Sequence, residues 1–333
     1  WLCNMIALNQ PGLTSGYAHF HNSTNKSAWQ SVRLPIHCLN GSEGPTTLIL
    51  GAMHGDEYEG PVAINALAHA VDTNALVGRL ILLPALNLPA MMAGTRLTPE
   101  DGLNLNRVFP GNPLGSLTQR IAHWLSGTMM PLSDHIVDLH SGGRTLNFAP
   151  SVLVPETSSQ LSLATAAGLA FGAPFTVLIN EDHSPMTIDA VAKNLGKVLV
   201  SSELGGAGML TRYTATLATD GLARMVAGLG HLPMKGDAPA SQYVRLPTSD
   251  KFLICDDDMI FVPAVDLGDA VREGDILGQG WFVDRVDTEP KTYFAPYDGW
   301  VLCFGGQGLS RRGDVVATVA QDATQGLVAQ LKV

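Results

Sequence analysis

The sequence predicts an α/β fold, a mostly parallel sheet flanked by helices, followed by a smaller all-β unit. Three observations point there. From about residue 46, short apolar runs alternate with amphipathic stretches and turns, the pattern of strands and helices laid down in turn. After roughly residue 238, brief segments such as "MIFVPAV" and "DVVATVAQ" alternate with Gly, Pro and Asp turns instead. A chain of 333 residues exceeds one average domain, and with 46% hydrophobic and 15% charged residues it has a globular composition. The expected division is 1–238 for the α/β unit and 239–333 for the β unit.

Within the first unit, "TTLILGA" (46–52) reads as a buried strand, and "GPVAINALAHAV" (60–71) has helical spacing after a Gly-Pro start. "RLILLPALN" (79–87) is the next strand, "SLTQRIAHWLSGTM" (116–129) a helix, "HIVDLHS" (135–141) a strand, and "KVLVSSELGG" (197–206) another. Strands that are apolar throughout, with helices between them, belong to a sheet covered on both faces. In the second unit, "VDLGDAVREGDILGQ" (265–279) and "APYDGWV" (295–301) resemble pieces of the biotinyl/lipoyl-type barrel-sandwich fold. No Lys sits in a Met-flanked hairpin tip, so a carrier role is not indicated.

The formal charge of −10 argues against a nucleic-acid partner, since phosphate binding needs clustered cations and the only tight basic pair is Arg311–Arg312. The apolar stretches are too short to span a bilayer, and the sequence shows no basic-then-apolar signal pattern. It starts at Trp1 rather than Met, which leaves open what precedes it. Cys3, Cys38, Cys255 and Cys303 lie far apart with no C-x-x-C pair, so reduced thiols and a cytoplasmic location are expected. A homo-oligomer is compatible with the sequence and is not specified by it.

The candidate chemistry gathers at strand ends. His54 and Glu57 follow the strand at 46–52, His140 closes "IVDLH", and Glu203 closes "VLVSSE". Ligands of an open parallel sheet bind beyond the carboxyl ends of its strands, so these four groups can converge on one crevice. Two His and one Glu form a known zinc set that leaves a position for water, whose pKa the ion lowers toward ~7. His54, Glu57 and His140 fit that set, with Glu203 as the carboxylate that accepts and returns the proton. Each residue alone has an ordinary reading: a chance H-x-x-E, a core histidine, a turn glutamate. The loop "AGTRLTPEDGLNLNRVFPGN" (93–112) adds Arg96 and Arg107, suited to an oxyanion or a carboxylate, or to surface pairing with Glu100 and Asp101. Asn104 and Asn106 have the alternative role of turn formers.

"GAMHGDEYEG", "NLPAMMAGTRLTPEDGLNLNRVFPG", "DLHSGG" and "SSELGG", in this order, resemble the succinylglutamate desuccinylase/aspartoacylase family, a branch of the zinc carboxypeptidase-like enzymes. The resemblance implies a zinc-dependent hydrolase that cleaves the acyl amide of a small N-acyl amino acid. His54, Glu57 and His140 would hold one Zn²⁺ and Glu203 would act as base and then acid. Arg96 would steady the oxyanion, and Arg107, with Asn106 beside it, would clamp the substrate carboxylate. "HGDEYEGP", "GRLILLPALNLPA" and "DGLNLNRVFPGN" are most similar to the Nα-acetyl-diaminobutyrate deacetylases of ectoine catabolism. The Ala and Met before His54 depart from the more polar pattern of that branch. An amine-bearing substrate calls for an acidic partner, and Glu181 and Asp182 in "NEDHSP" are available, although a solvated loop is the simpler reading.

No G-x-S-x-G elbow supports a serine hydrolase, and no Walker loop a nucleotide enzyme. The remaining alternatives are a succinylglutamate or N-acyl-aspartate deacylase, a zinc carboxypeptidase acting on peptides, or a non-catalytic zinc-binding interaction protein. Co²⁺ or Mn²⁺ would suit the same ligand types.

Overall fold

The structure, a computed structural model, describes residues 6–25, 27–156, 161–179, 185–234, 236–246 and 252–324. The chain supplies β1 (Gly12–His21), β2 (Ser31–Asn40), β3 (Ser42–Gly51), α1 (Glu59–Ala70), β4 (Val77–Leu83), α2 (Leu88–Ala93) and α3 (Leu117–Trp124). It continues with β5 (His135–His140), β6 (Leu146–Phe148), β7 (Ser151–Pro155), α4 (Leu161–Phe171), β8 (Phe175–Ile179) and α5 (Ile188–Asn194). Then come β9 (Val198–Glu203), α6 (Arg212–Gly228) and β10 (Gln242–Arg245).

The main sheet runs β1-β2-β4-β3-β5-β9-β7-β8-β10. Strands β4, β3, β5 and β9 are mutually parallel, β7 runs antiparallel to β9, and β7, β8 and β10 are again parallel. The central part of the sheet is therefore mostly parallel, as expected, with β1 and β2 added antiparallel at one edge and an antiparallel break beside the strand that ends in Glu203.

Period-2 alternation divides its side chains between two cores. Ile49, Leu80, Leu82, Val137, Leu139, Val198 and Val200 pack with α1, α4 and α6. Leu48, Leu50, Ile81, Leu83, Ile136 and Leu199 pack on the other face with α3 and α5. Each such side chain contributes about 1.5–3 kcal/mol by leaving water, so a one-residue slip of any central strand would be prohibitive. In β5 and β9 this register sends Asp138, His140, Ser201 and Glu203 to the second face, where Asp138 pairs Ser201 and His140 pairs Glu203 across the ladder.

Two expected elements end early. The strand of 79–87 stops at Leu83, because Asn87 turns the chain into α2 and caps it by accepting from Ala90 N–H. The helix of 116–129 is α-helical to Trp124, then widens into a π turn over Leu125–Met129.

The C-terminal unit is antiparallel β. Strand Val315–Asp322 pairs with β10 and with Gly299–Gly305, which in turn pairs with β6. A second sheet orders Lys291–Phe294, Ile276–Trp281, Met259–Pro263 and Leu309–Ser310. Met259, Phe261, Leu277 and Tyr293 of that sheet close a core with Val301, Val316 and Val319. Pairing with β6 ties this unit to the segment just after His140, and Gly306 N–H donates to Thr145 O at 2.7 Å. No helix among the described residues is long and apolar enough to cross a membrane.

At the opposite end of β3 and β5, Thr47 Oγ1 lies 3.2 Å from His135 Nδ1 and 2.6 Å from His231 Nε2. His231 Nδ1 donates to Val77 O at 2.7 Å. Burial holds both imidazoles below the ordinary value of 6.5. The unfolded chain therefore takes up these protons first, and stability present above about pH 6.5 is lost as the pH falls below it. The stability margin of wild type over His231→Gln, read from urea midpoints, should be smaller at pH 5.5 than at pH 7.5. Thr47→Val, which leaves two buried imidazoles short of a partner, should cost about 1–3 kcal/mol.

Candidate metal centre

The segment between β3 and α1 builds most of the site. Ala52 adopts φ +51° as the chain leaves β3, a left-handed conformation uncommon for a residue with a Cβ and a mark of a functional turn. Leu86 and Asn87 hold the turn by donating to the carbonyls of Gly51 and Ala52. At Gly55 an added Cβ would lie 1.9 Å from the Ala90 carbonyl carbon, so only glycine lets this turn lie against α2. The acidic residues that follow reach different neighbours. Asp56 Oδ2 accepts from Arg144 N–H at 2.8 Å, and Glu57 Oε2 accepts from Ser141 N–H at 3.3 Å. Glu59 is hydrogen-bonded by the Ser141 and Thr214 side chains.

Glu57 bridges the two histidines. Its Oε1 is 2.7 Å from His54 Nδ1, its Oε2 is 2.9 Å from His140 Nδ1, and the three residues are at most 9% exposed. One ligand atom from each lies within 4.8 Å of the others.

The outer nitrogens are also occupied. His140 Nε2 is 2.9 Å from Asp138 Oδ2, and His54 Nε2 is 3.2 Å from Asn104 Oδ1. Asn104 Oδ1 also accepts from Asn106 N–H at 2.9 Å, which fixes the oxygen toward His54 and makes His54 Nε2 the donor. A neutral His54 then turns the lone pair of Nδ1 toward the Glu57 carboxylate, two acceptors 2.7 Å apart. Either a proton, making His54 a cation that donates to Glu57, or a metal ion resolves that conflict; burial works against the first, and an outer hydrogen bond of this kind is the usual support of a metal-ligating imidazole. The donor set thus fits Zn²⁺.

The electrostatics agree. Burial alone would raise the Glu57 carboxyl, but the charges and hydrogen bonds of His54 and His140 overcome it and hold the group at about 2. Burial lowers His54, against the pull of Glu57. Burial opposes the charged form of His140 too, yet Asp138 and Glu57 raise it well above 6.5. For Glu203, burial first and the Glu57 charge second push the carboxyl up to about 8, and its Oε2 is buried with no hydrogen-bond partner among the described residues.

His54, His140, Glu203, Arg96, Arg107 and Asn106 all line one cavity of about 380 Å³, within the range of small-molecule sites. Glu57 sits behind the histidines. The structure places Arg96 two residues past Gly94, which stops α2 in a left-handed cap (φ +60°), and its Nη1 is 3.4 Å from Glu57 Oε1. Arg107 ends a 3₁₀ turn capped by Asn104, with Nη1 donating to Asn106 O at 2.6 Å. Asp101 is not the partner of either arginine in a surface pair; it accepts from Thr118 N–H and Oγ1 at the start of α3. Asn106 Oδ1 accepts from Ile188 N–H, joining the arginine loop to α5. Glu181 and Asp182 lie outside the described residues, as does Cys3.

Two cavity or ligand-supporting residues are absent from the sequence reading, and a third, Asn104, stands there only as a turn former. Asp138 had a signal, since D-x-H on a strand puts both side chains on one face. Asn104 had only its neighbourhood to Arg107, and Asp189, at the cavity wall in α5, had none.

Residues 43–229 match the succinylglutamate desuccinylase/aspartoacylase catalytic domain. The chain is 32% identical over 314 residues to the N-alpha-acetyl-L-2,4-diaminobutyric acid deacetylase of Halomonas elongata, covering 93% of this chain and 92% of that protein. The product-bound structure of the ectoine utilization protein EutE (DoeB) from Ruegeria pomeroyi superposes with a TM-score of 0.92 at 38% identity, covering 96% of this chain and 98% of the other. A succinylglutamate desuccinylase from a Silicibacter species superposes with a TM-score of 0.92 at 37% identity and the same coverage. With the fold, the buried His-Glu-His cluster and these matches together, the chain belongs to the succinylglutamate desuccinylase/aspartoacylase family and is an amidohydrolase of its deacylase type.

Proposed function

We propose that this protein is a zinc-dependent deacylase of small N-acyl amino acids, with Nα-acetyl-2,4-diaminobutyrate as its substrate. The observation that carries the reading is the cluster of His54, Glu57 and His140 beside a buried Glu203 carboxylate oxygen that has no hydrogen-bond partner among the described residues. The deacetylase activity named for the Halomonas relative supports the choice of substrate.

His54 Nδ1, His140 Nδ1 and Glu57 would hold the ion. When bound, zinc supplies Lewis-acid polarisation and a water acidic enough to react near neutral pH. Glu203 takes one proton from the attacking water as its oxygen bonds to the acyl carbon. The Arg96 guanidinium faces the oxyanion that forms, in a site where low dielectric strengthens the contact. Glu203 then returns the proton to the amide nitrogen, the C–N bond breaks, and a carboxylate and a free amine leave. Arg107 and Asn106 bind the substrate carboxylate and fix which acyl carbon meets the water. Asp138 and Asn104 orient the two imidazoles. A non-catalytic zinc protein would not need Glu203 buried at that position, since structural sites are closed by four protein ligands. The free, buried thiols of Cys38, Cys255 and Cys303 suit a reducing compartment, and we place the enzyme in the cytoplasm.

Release of amine from a panel of N-acetyl and N-succinyl amino acids, with zinc-loaded and chelator-stripped protein, tests the reading. Zinc-dependent release from Nα-acetyl-2,4-diaminobutyrate above the others is expected, and silence across the panel with zinc bound would refute it. Glu203→Gln should retain stoichiometric zinc while kcat falls by about 10²–10⁴-fold. His140→Ala should lose both metal and turnover. Arg107→Ala should raise KM by about 10- to 100-fold with a smaller effect on kcat, seen in steady-state kinetics. Asp138→Asn should weaken zinc affinity by about 10- to 100-fold in chelator competition.

A further inference from the structure

The cavity carries both signs of charge. Arg96 and Arg107 line it, and so do Asp138, Asp189 and Glu203. The deacylase reading uses both arginines and Glu203, and it uses Asp138 only through Oδ2, which faces His140. Asp138 Oδ1 is buried and has no hydrogen-bond partner among the described residues. Asp189 is in the first turn of α5, with the Thr187 hydroxyl bonded to its carboxyl. Burial first, and then the Asp138 charge, push its carboxyl up, while the charge of His140 and the Thr187 hydrogen bond pull the other way.

Two carboxylates sharing part of a cavity repel unless a cation comes between them. Arg107 is near enough for its charge and that of Asp189 to act on each other, but its guanidinium donates to the Asn106 carbonyl, and Arg96 leans on Glu57, so neither arginine is hydrogen-bonded to Asp138 or Asp189 in the contacts described. An N-acyl amino acid whose carboxylate is held by Arg107 presents its side chain to another part of the same wall. A short side chain ending in an ammonium would supply the missing charge, with hydrogen bonds that a neutral or acidic side chain cannot make.

We propose that Asp189, acting with Asp138 Oδ1, forms the subsite for a side-chain ammonium and is the residue that selects cationic over neutral N-acyl amino acids. This rests on the deacylase reading and goes beyond it, by assigning specificity to a residue outside the reacting groups.

The test compares wild type with Asp189→Asn, both zinc-loaded, on Nα-acetyl-2,4-diaminobutyrate and on Nα-acetyl-2-aminobutyrate, which lacks the ammonium. The ratio of kcat/KM for the cationic over the neutral substrate should favour the cation in wild type and fall by about 10- to 100-fold in the variant. Calorimetry of free 2,4-diaminobutyrate binding should show a loss of similar size without any turnover. An equal loss on both substrates would overturn the proposal, since it would mark Asp189 as a residue that merely positions Arg107 or α5. A wild type that prefers the neutral substrate would overturn the subsite and leave the deacylase standing. If no substrate is turned over, the deacylase reading fails, and the calorimetry still decides the subsite: binding that Asp189→Asn abolishes supports it, and binding that the variant keeps refutes it.

Discussion

The Glu57 carboxylate is the interaction on which the site depends. It is buried, it touches both imidazoles, and it also meets Arg96 and the Ser141 amide. A buried anion is costly unless its field is answered on several sides. Here the answer comes from β5, from the turn after β3 and from the loop after α2, so the cost of burying one charge locks three segments together. Asp56 and Glu59 extend the same device, the first to the Arg144 amide and the second to Ser141 and Thr214. The stretch "HGDEYEG" therefore holds two candidate metal ligands, His54 and Glu57, and is also a clamp. Its two roles explain why a short polar run sits among some of the most buried residues of the chain.

The sheet provides what the clamp cannot, a fixed distance between His140 and Glu203. They are cross-strand partners at the ends of β5 and β9, on the face shared with Asp138 and Ser201. Apolar side chains on the other face, including Val137, Leu139, Val198 and Val200, hold the register. The C-terminal β unit reaches the site through β6, which follows the "HSGG" turn, so its anchorage lies next to the ligand strand.

Much of this was legible in the sequence, and the reasons differ by residue. His54, Glu57, His140 and Glu203 could be placed together because apolar runs announce strands and each residue stands where a run ends. The neighbouring loops were legible as polar turns, but their direction was not, since Asn104 meets His54 only after Gly94 and the 3₁₀ turn at Leu105–Arg107 have set the path. Asp189 was out of reach because nothing local tells which loop delivers α5 to the cavity. Strands β1 and β2, an antiparallel pair at the sheet edge, have mixed exposure and weak apolar contrast, and β7 reads like any other short strand. Its antiparallel direction is a property of the connection, not of its residues.

We propose that His54, Glu57 and His140 together bind one catalytic zinc ion and leave a position open. Zinc K-edge X-ray absorption of the protein loaded with one equivalent of zinc tests it most directly. A first shell of nitrogen and oxygen at about 2.0–2.1 Å is expected, with outer-shell scattering from two imidazoles and no sulfur. A sulfur shell near 2.3 Å, or a shell with one imidazole or none, would contradict it.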